Sequence, residues 1–269
     1  MSGFSVEWLT LREGYDIRAR NPAVLGAAIS LLKSKSAVRL VDLACGTGST
    51  LRSLSPQLPA RQHWDLVDND SRLLNAARAG HLPDNVGLNA VQLDLNSDLE
   101  IVLNRPSDLI ATSALLDLVS EAWLERFANQ ASARGLPVYA ALTYNGRIDL
   151  FPVDRTDAAI TAAVNAHQHT DKGFGPALGP SAAAAAISRF EMLGYSTVQG
   201  MSDWILGTTD RDIQIELLNG WATAASEMQC LPGREIDHWL TRRREAVEQQ
   251  TSTMRVGHVD FLAAPSTTR

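Results

Sequence analysis

Val41-Asp42-Leu43-Ala44-Cys45-Gly46-Thr47-Gly48-Ser49 follows an apolar run that begins at Val38 and opens a helical pattern at Thr50 to Leu54. Its two glycines permit a tight turn with backbone close to a ligand, and the helix start beyond presents unpaired N–H groups. A dinucleotide fingerprint asks for a third small residue three positions after Gly48, where Leu51 stands, so no pyrophosphate cradle of that type is offered. No Gly-Lys-Ser/Thr follows, which removes the P-loop as well.

Outward from this turn, short β-type runs alternate with helical ones. Strands are expected at Val38 to Ala44, His63 to Asp68, Leu88 to Leu93, Leu109 to Ser113 and Val138 to Tyr144, with helices at Leu73 to Ala79 and Glu121 to Ala133. Alternation of this kind predicts a Rossmann-like α/β fold, a mostly parallel sheet with helices on both faces. Helical spacing of Trp8, Leu9, Leu11 and Tyr15, then of Val24, Leu25, Ala28, Leu31 and Leu32, places two helices before the sheet as a lid or brace.

The stretch from Gly146 to Pro180 carries Pro152, Pro176 and Pro180 and reads as a long, functional loop. A helix over Ala182 to Leu193 follows, then a strand around Ser196 to Leu206. Helices about Arg211 to Glu227 and Glu235 to Gln249 precede a last strand, about Met254 to Ala263. With no internal repeat, the 269 residues read as one domain with a seven-stranded sheet. It comprises N-terminal helices in 1–35, a core in 36–145, a substrate-side insertion in 146–180 and a helical insertion in 207–252.

A hydrophobic content of 45% over this length suffices for a large core without staples. The net charge of −6 argues against a broad phosphate-binding surface, and the basic run Arg242 to Arg244 reads as a solvated helix face. Cys45 and Cys230 belong to no ligand cluster, and His167-x-His169 lacks a nearby third ligand, so no metal is expected. Neither a leader pattern nor a bilayer-length apolar window occurs, which predicts a cytoplasmic protein.

The turn quoted first resembles motif I of the class I S-adenosylmethionine-dependent methyltransferases, roughly acid-x-x-small-Gly-x-Gly at the end of the first strand. A second acid, Asp68, ends the strand His63-Trp64-Asp65-Leu66-Val67-Asp68 about 20 residues beyond, where a carboxylate can accept both ribose hydroxyls. Ser71-Arg72-Leu73-Leu74-Asn75-Ala76-Ala77-Arg78 resembles the family's next helix. Val91-Gln92-Leu93-Asp94-Leu95 resembles the third strand's end, where an acid meets the adenine amino group and the next residue donates its N–H. The likeness is clear over residues 38–145 and looser beyond. It implies S-adenosylmethionine as cofactor, held by Asp42, Ala44, Cys45, Gly46, Gly48, Asp68, Asn69, Asp94, Leu95 and Ser113. The reaction implied is methyl transfer to a small molecule, with oxygen expected as acceptor, as in bacterial small-molecule enzymes. The Asn/Asp-Pro-Pro-Tyr/Phe sequence of amino-methylating enzymes is lacking after the fourth strand.

Candidate residues follow from the chemistry. Arg18 or Arg20 could hold the cofactor's carboxylate bidentately, Arg18 being preferred. For a hydroxyl acceptor a base must remove a proton, and His167 or His169 has the right type beside hinge glycines. Asp117 stands where relatives often have histidine and serves either as a helix cap or as a substrate contact. Tyr15, Tyr144, Arg147, Lys172 and Trp204 complete the expected substrate side, while Trp221 and Trp239 read as core. Two other readings stay open: a nicotinamide-dependent oxidoreductase, disfavoured by Leu51 and the lack of a Tyr-x-x-x-Lys pair, and a non-catalytic binding protein of this fold. The partner expected is a small molecule, with neither nucleic acid nor membrane, for a monomer or homodimer.

Overall fold

The computed structural model describes residues 4–58, 61–80 and 82–266. Two helices come first. In α1 (Val6–Ala19) the Ser5 hydroxyl caps the N-terminus by accepting from the Trp8 N–H at 3.1 Å. In α2 (Pro22–Leu32) Asn21 caps the N–H groups of Ala23 and Val24, and Pro22 supplies a first-turn residue that has no N–H to orphan.

The sheet then builds as β1 (Ala37–Leu43), α3 (Ser49–Leu54), β2 (Arg61–Asp68), α4 (Ser71–Arg78), β3 (Val86–Gln92), α5 (Leu99–Leu103), β4 (Leu109–Ser113), α6 (Glu121–Ala133) and β5 (Val138–Phe151). There follow α7 (Asp157–Gln168), α8 (Ala182–Met192), β6 (Tyr195–Met201), β7 (Trp204–Leu206), α9 (Arg211–Met228), α10 (Gly233–Glu248) and β8 (Thr253–Pro265). Strand order is β3-β2-β1-β4-β5-β8-β6, with short β7 as an eighth strand paired to β8. Neighbours among β1 to β5 are parallel, and β8 alone runs against both β5 and β6. The order differs at β8 from the 3-2-1-4-5-6 order of a dinucleotide-binding sheet.

Period-two alternation divides the strands between two cores. Val41, Leu43, Ile110, Val138 and Ala140 face α6 and α8, with Phe127 and Phe190 behind them. Leu40, Leu109, Ala111, Tyr139 and Ala141 face α2 to α4, with Leu51 and Trp64. Burial of each of the larger of these side chains is worth about 1.5–3 kcal/mol. Leu51, the residue that broke the dinucleotide pattern, is a core side chain of this second layer.

A third cluster caps the sheet's carboxyl edge: Ile160 and Val164 of α7, Trp221 of α9, Trp239 of α10 and Trp204 of β7, with Trp8 and Tyr15 of α1 packed against it. Trp221 and Trp239 are thus core residues, as expected.

Three expectations are corrected. The segment 146–180 is not a continuous loop: β5 runs on to Phe151 and α7 occupies twelve residues of it, because Ile160, Ala163 and Val164 recur at helical spacing and are buried. The strand expected over Ser196 to Leu206 is interrupted at Ser202-Asp203. There the Asp203 carboxylate accepts the His258 N–H at 3.1 Å in place of a backbone carbonyl, and pairing with β8 resumes beyond in the same register. Arg242 to Arg244 is a solvated face only in part: Arg242 and Arg244 are exposed, Arg242 pairing with Asp154, whereas Arg243 is buried and pairs with Asp157.

Candidate functional site

The carboxyl ends of β1 to β4 open into one cavity enclosing about 1070 Å³ of empty space, its mouth included. Its floor is the turn after β1, where Ala44 (φ 52°), Gly46 (φ 54°) and Gly48 (φ 88°) all take left-handed backbone. For Ala44 this conformation is strained, and a second alanine after β4, Ala114 (φ 51°), repeats it in the same wall. A side chain at Gly46 would press against Leu9 of α1, its Cβ only 3.0 Å from Leu9 Cδ1. The Cys45 N–H is held by the Val67 carbonyl at 3.0 Å.

Asp68, at the end of β2, accepts the Gly46 N–H through Oδ2 and the Asp70 N–H through Oδ1, each at 2.9 Å. Burial raises its pKa above the ordinary carboxylate value, against those backbone donors. Beyond β3, Asp94 accepts the Asn96 N–H at 2.9 Å, and the Leu95 carbonyl accepts Trp123 Nε1 at 2.8 Å. Asn96 in turn donates to the Gly173 carbonyl at 3.2 Å, which draws Phe174 against Trp123 and into the cavity wall.

Helix α1 closes the opposite side with Leu9, Arg12 and Asp16. Arg12 donates through Nε and Nη2 to both oxygens of Asp16, and its guanidinium lies 4.8 Å from the Trp204 ring centroid. Trp204 Nε1 also donates to Asp16, at 3.0 Å. Two further contacts fix the helix. Glu13 pairs with Arg52, which donates to the Thr47 carbonyl of the glycine turn at 2.7 Å, and the Tyr15 hydroxyl donates to Asp210 at 2.8 Å.

Beneath the floor lies Asp42, fully buried, with neither carboxylate oxygen hydrogen-bonded among the described residues. Burial pushes its pKa up to about 7, the Arg20 guanidinium pulling the other way. Arg20 is itself buried and reaches Tyr139, Thr50 and Ser113 at 3.2, 3.4 and 3.5 Å.

The expected cofactor residues gather well: Ala44, Cys45, Gly46, Asp68, Asn69, Asp94, Leu95 and Ser113 line the cavity, Gly48 shapes its turn and Asp42 supports it from below. Arg18 does not join them; it stacks on Tyr15 at 4.6 Å.

The expected catalytic and substrate residues lie outside the lining. His167 sits 2.8 Å from Glu227, and His169 Nδ1 lies 3.2 Å from the Ala177 carbonyl. Lys172 meets Thr170 and His167, and Arg147 meets Asp149. The Tyr144 hydroxyl donates to Asn165 at 2.8 Å, and Trp204 is buried behind Arg12. Asp117 is buried in the turn between the lining residues Leu115 and Leu118, its pKa pushed up to about 6 by burial.

Arg12 and Asp16 line the cavity without having been expected there, and Phe174 lines it from the stretch Asn165 to Pro176 that the sequence marks as a cover for the site. The signal for the first two was present: Leu9, Arg12 and Asp16 recur at i, i+3 and i+7, so a polar pair shares the helix face of a lining leucine. Among the described residues no group of three or more His, Cys, Asp or Glu could hold a metal ion, and no helix is long and apolar enough to cross a membrane.

No protein-family model and no curated protein sequence matches the chain. Among solved structures it is similar to a cyclopropane-fatty-acyl-phospholipid synthase-like protein from Lactobacillus casei, 14% identical, with a TM-score of 0.55 over 97% of this chain and 94% of that one. It is also similar to a SAM-dependent methyltransferase from Geobacter sulfurreducens solved with S-adenosyl-L-homocysteine, 14% identical, with a TM-score of 0.48 over 98% and 100% of the two chains. The first likeness establishes the fold, the methyltransferase Rossmann-like fold.

Proposed function

We propose that this protein binds S-adenosylmethionine in the cavity at the ends of β1 to β4 and transfers its methyl group to a small molecule. The observation that carries the reading is the pair Asp68 and Asp94, on adjacent strand ends and in one cavity with a strained turn whose backbone lies open to a ligand. This donor set fits an adenosyl group. Asp68 is ready to accept from a ribose diol, Asp94 to accept from the adenine amino group, and Leu95 and Phe174 to cover the base. The methionyl end then falls toward Ser113, Arg12 and Asp16, where charged groups of both signs can meet a zwitterion.

When bound, the cofactor supplies an electrophilic methyl group on a sulfonium. The chain's part is to align an acceptor with it and to exclude water, which the α1 lid and the cap helices are placed to do. Ala114 and Leu115 line the same cavity beside Arg12 and Asp16, and an acceptor would enter next to them.

Calorimetric titration with S-adenosylmethionine, S-adenosylhomocysteine and NAD tests the reading. Binding of the adenosyl-sulfur ligands that is lost in Asp68→Ala is the expected result. Binding of NAD alone, or of none of the three, would overturn it.

A further inference from the structure

Three side chains between α7 and α9 form a chain that none of the chemistry above uses. Glu227 Oε2 lies 2.8 Å from His167 Nε2, and Lys172 Nζ lies 3.3 Å from His167 Nδ1. A carboxylate only accepts, so Nε2 carries the imidazole hydrogen and Nδ1 presents a lone pair to the lysine. Lys172 also donates to Thr170 Oγ1 at 2.9 Å, and that hydroxyl donates to the His167 carbonyl at 2.8 Å. Carboxylate, imidazole and amine thus stand in the order of an orienting group, a base and a nucleophile.

From this geometry we infer that Lys172 is an acylation site, an amine activated by His167 and Glu227 that takes an acyl group from a small acyl phosphate. The neutral amine attacks the acyl carbon and forms the N–C bond. Phosphate leaves with the electron pair of the broken C–O bond, and the proton shed by nitrogen passes to His167 Nδ1. The imidazolium so formed is held by Glu227. Partial burial supports the inference by lowering the lysine pKa from 10.5, against the opposing charge of Glu227, which enlarges the neutral fraction. Once acylated, the nitrogen keeps a single N–H and cannot serve both His167 and Thr170. The change falls two residues from Phe174 in the cavity wall.

The chain provides its own controls, because its three lysines are Lys33, Lys35 and Lys172. Lys33 is exposed and Lys35 is paired with Asp108 at 2.8 Å. The full chain is incubated with acetyl phosphate near pH 8 and the occupancy of each lysine is followed by peptide mass spectrometry. Lys172 is expected to react at least about tenfold faster than Lys33 despite its lower exposure, as base assistance implies. His167→Gln should bring Lys172 to the Lys33 rate or below, and Glu227→Gln should fall between, with Lys33 unchanged in both. A Lys172 rate no higher than that of Lys33 in the wild type, or one unmoved by His167→Gln, overturns the inference.

Discussion

The Gly46 backbone N–H donates to the Asp68 carboxylate over 2.9 Å, so the turn that ends β1 is fastened to the last residue of β2. One carboxylate therefore shapes the turn and faces the cavity that the turn floors.

Removing that carboxylate takes away both roles. Asp68→Ala should weaken S-adenosylhomocysteine binding on the order of 100-fold, the loss of charge-assisted hydrogen bonds worth about 1.5–3 kcal/mol each. Asp68→Asn, which keeps one acceptor oxygen, should lose on the order of tenfold. Calorimetry on folded protein decides, and an unchanged affinity in Asp68→Ala would place the ligand elsewhere.

Asp42 sets a pH dependence of stability. Its folded pKa of about 7 stands above the ordinary 3.8, so the folded state holds the proton more tightly. The contribution is fully present below about pH 4 and is lost as pH rises through 7. Asp42 therefore lowers the stability of the ligand-free protein at pH 8 relative to pH 5, as buried Asp117 does, while His258, kept neutral by burial with its pKa at about 3, acts the opposite way below pH 6.5. Asp42→Asn should flatten that slope and stabilise the pH 8 state by on the order of 3 kcal/mol. Melting curves at the two pH values are the check; a variant with the wild-type slope would show that Asp42 is not its source.

Ala44 is one of two alanines of the cavity wall held in left-handed backbone, and its strain can be relieved. Its left-handed backbone costs an alanine about 1–2 kcal/mol that a glycine does not incur. Part of that is returned by the freer unfolded chain. Ala44→Gly should raise stability by about 0.5–1 kcal/mol in denaturant titrations, with S-adenosylhomocysteine affinity kept. Ala44→Val should lower stability, and the opposite ranking would refute the strain.

Arg12 and Asp16 are buried together, with side chains 10% and 8% exposed. Arg12→Met leaves the carboxylate unpaired in the interior and should cost about 3–5 kcal/mol. The double variant with Asp16→Asn should recover a substantial part, because no charge is then stranded. A double variant as unstable as the single one would assign the loss to packing on Trp204 instead.

The sheet and the cavity at its carboxyl edge were legible because they are written locally. The run from Val41 to Ser49, the acid at Asp68 and the acid at Asp94 each stand at or just beyond the end of a strand, and those ends share one edge because the strands are parallel. The substrate side was not legible, because it depends on contacts between distant segments. His167 and Lys172 have the residue types of catalysis, yet their partner is Glu227 on α9, which no spacing near residue 170 announces. Arg18 or Arg20, with Arg18 preferred, was expected at the cofactor's carboxylate; helical phase instead turns Arg12 toward the cavity and Arg18 onto Tyr15, and Arg20 lies buried against Ser113. Helix α7 was obscured by its flanks, since prolines and glycines at 152, 173, 175 and 176 mark the ends of a helix as readily as a loop.

Helix α1 is anchored at Glu13 to Arg52 of α3, which itself holds the glycine turn, and at Tyr15 to Asp210 of the cap, the second contact spanning 195 positions. During synthesis the helix precedes both partners, and the later one emerges only when most of the chain has been made. The wall that carries Arg12 and Asp16 thus gains its second anchor late in synthesis, yet before β8, the strand that joins β5 to β6, has been made.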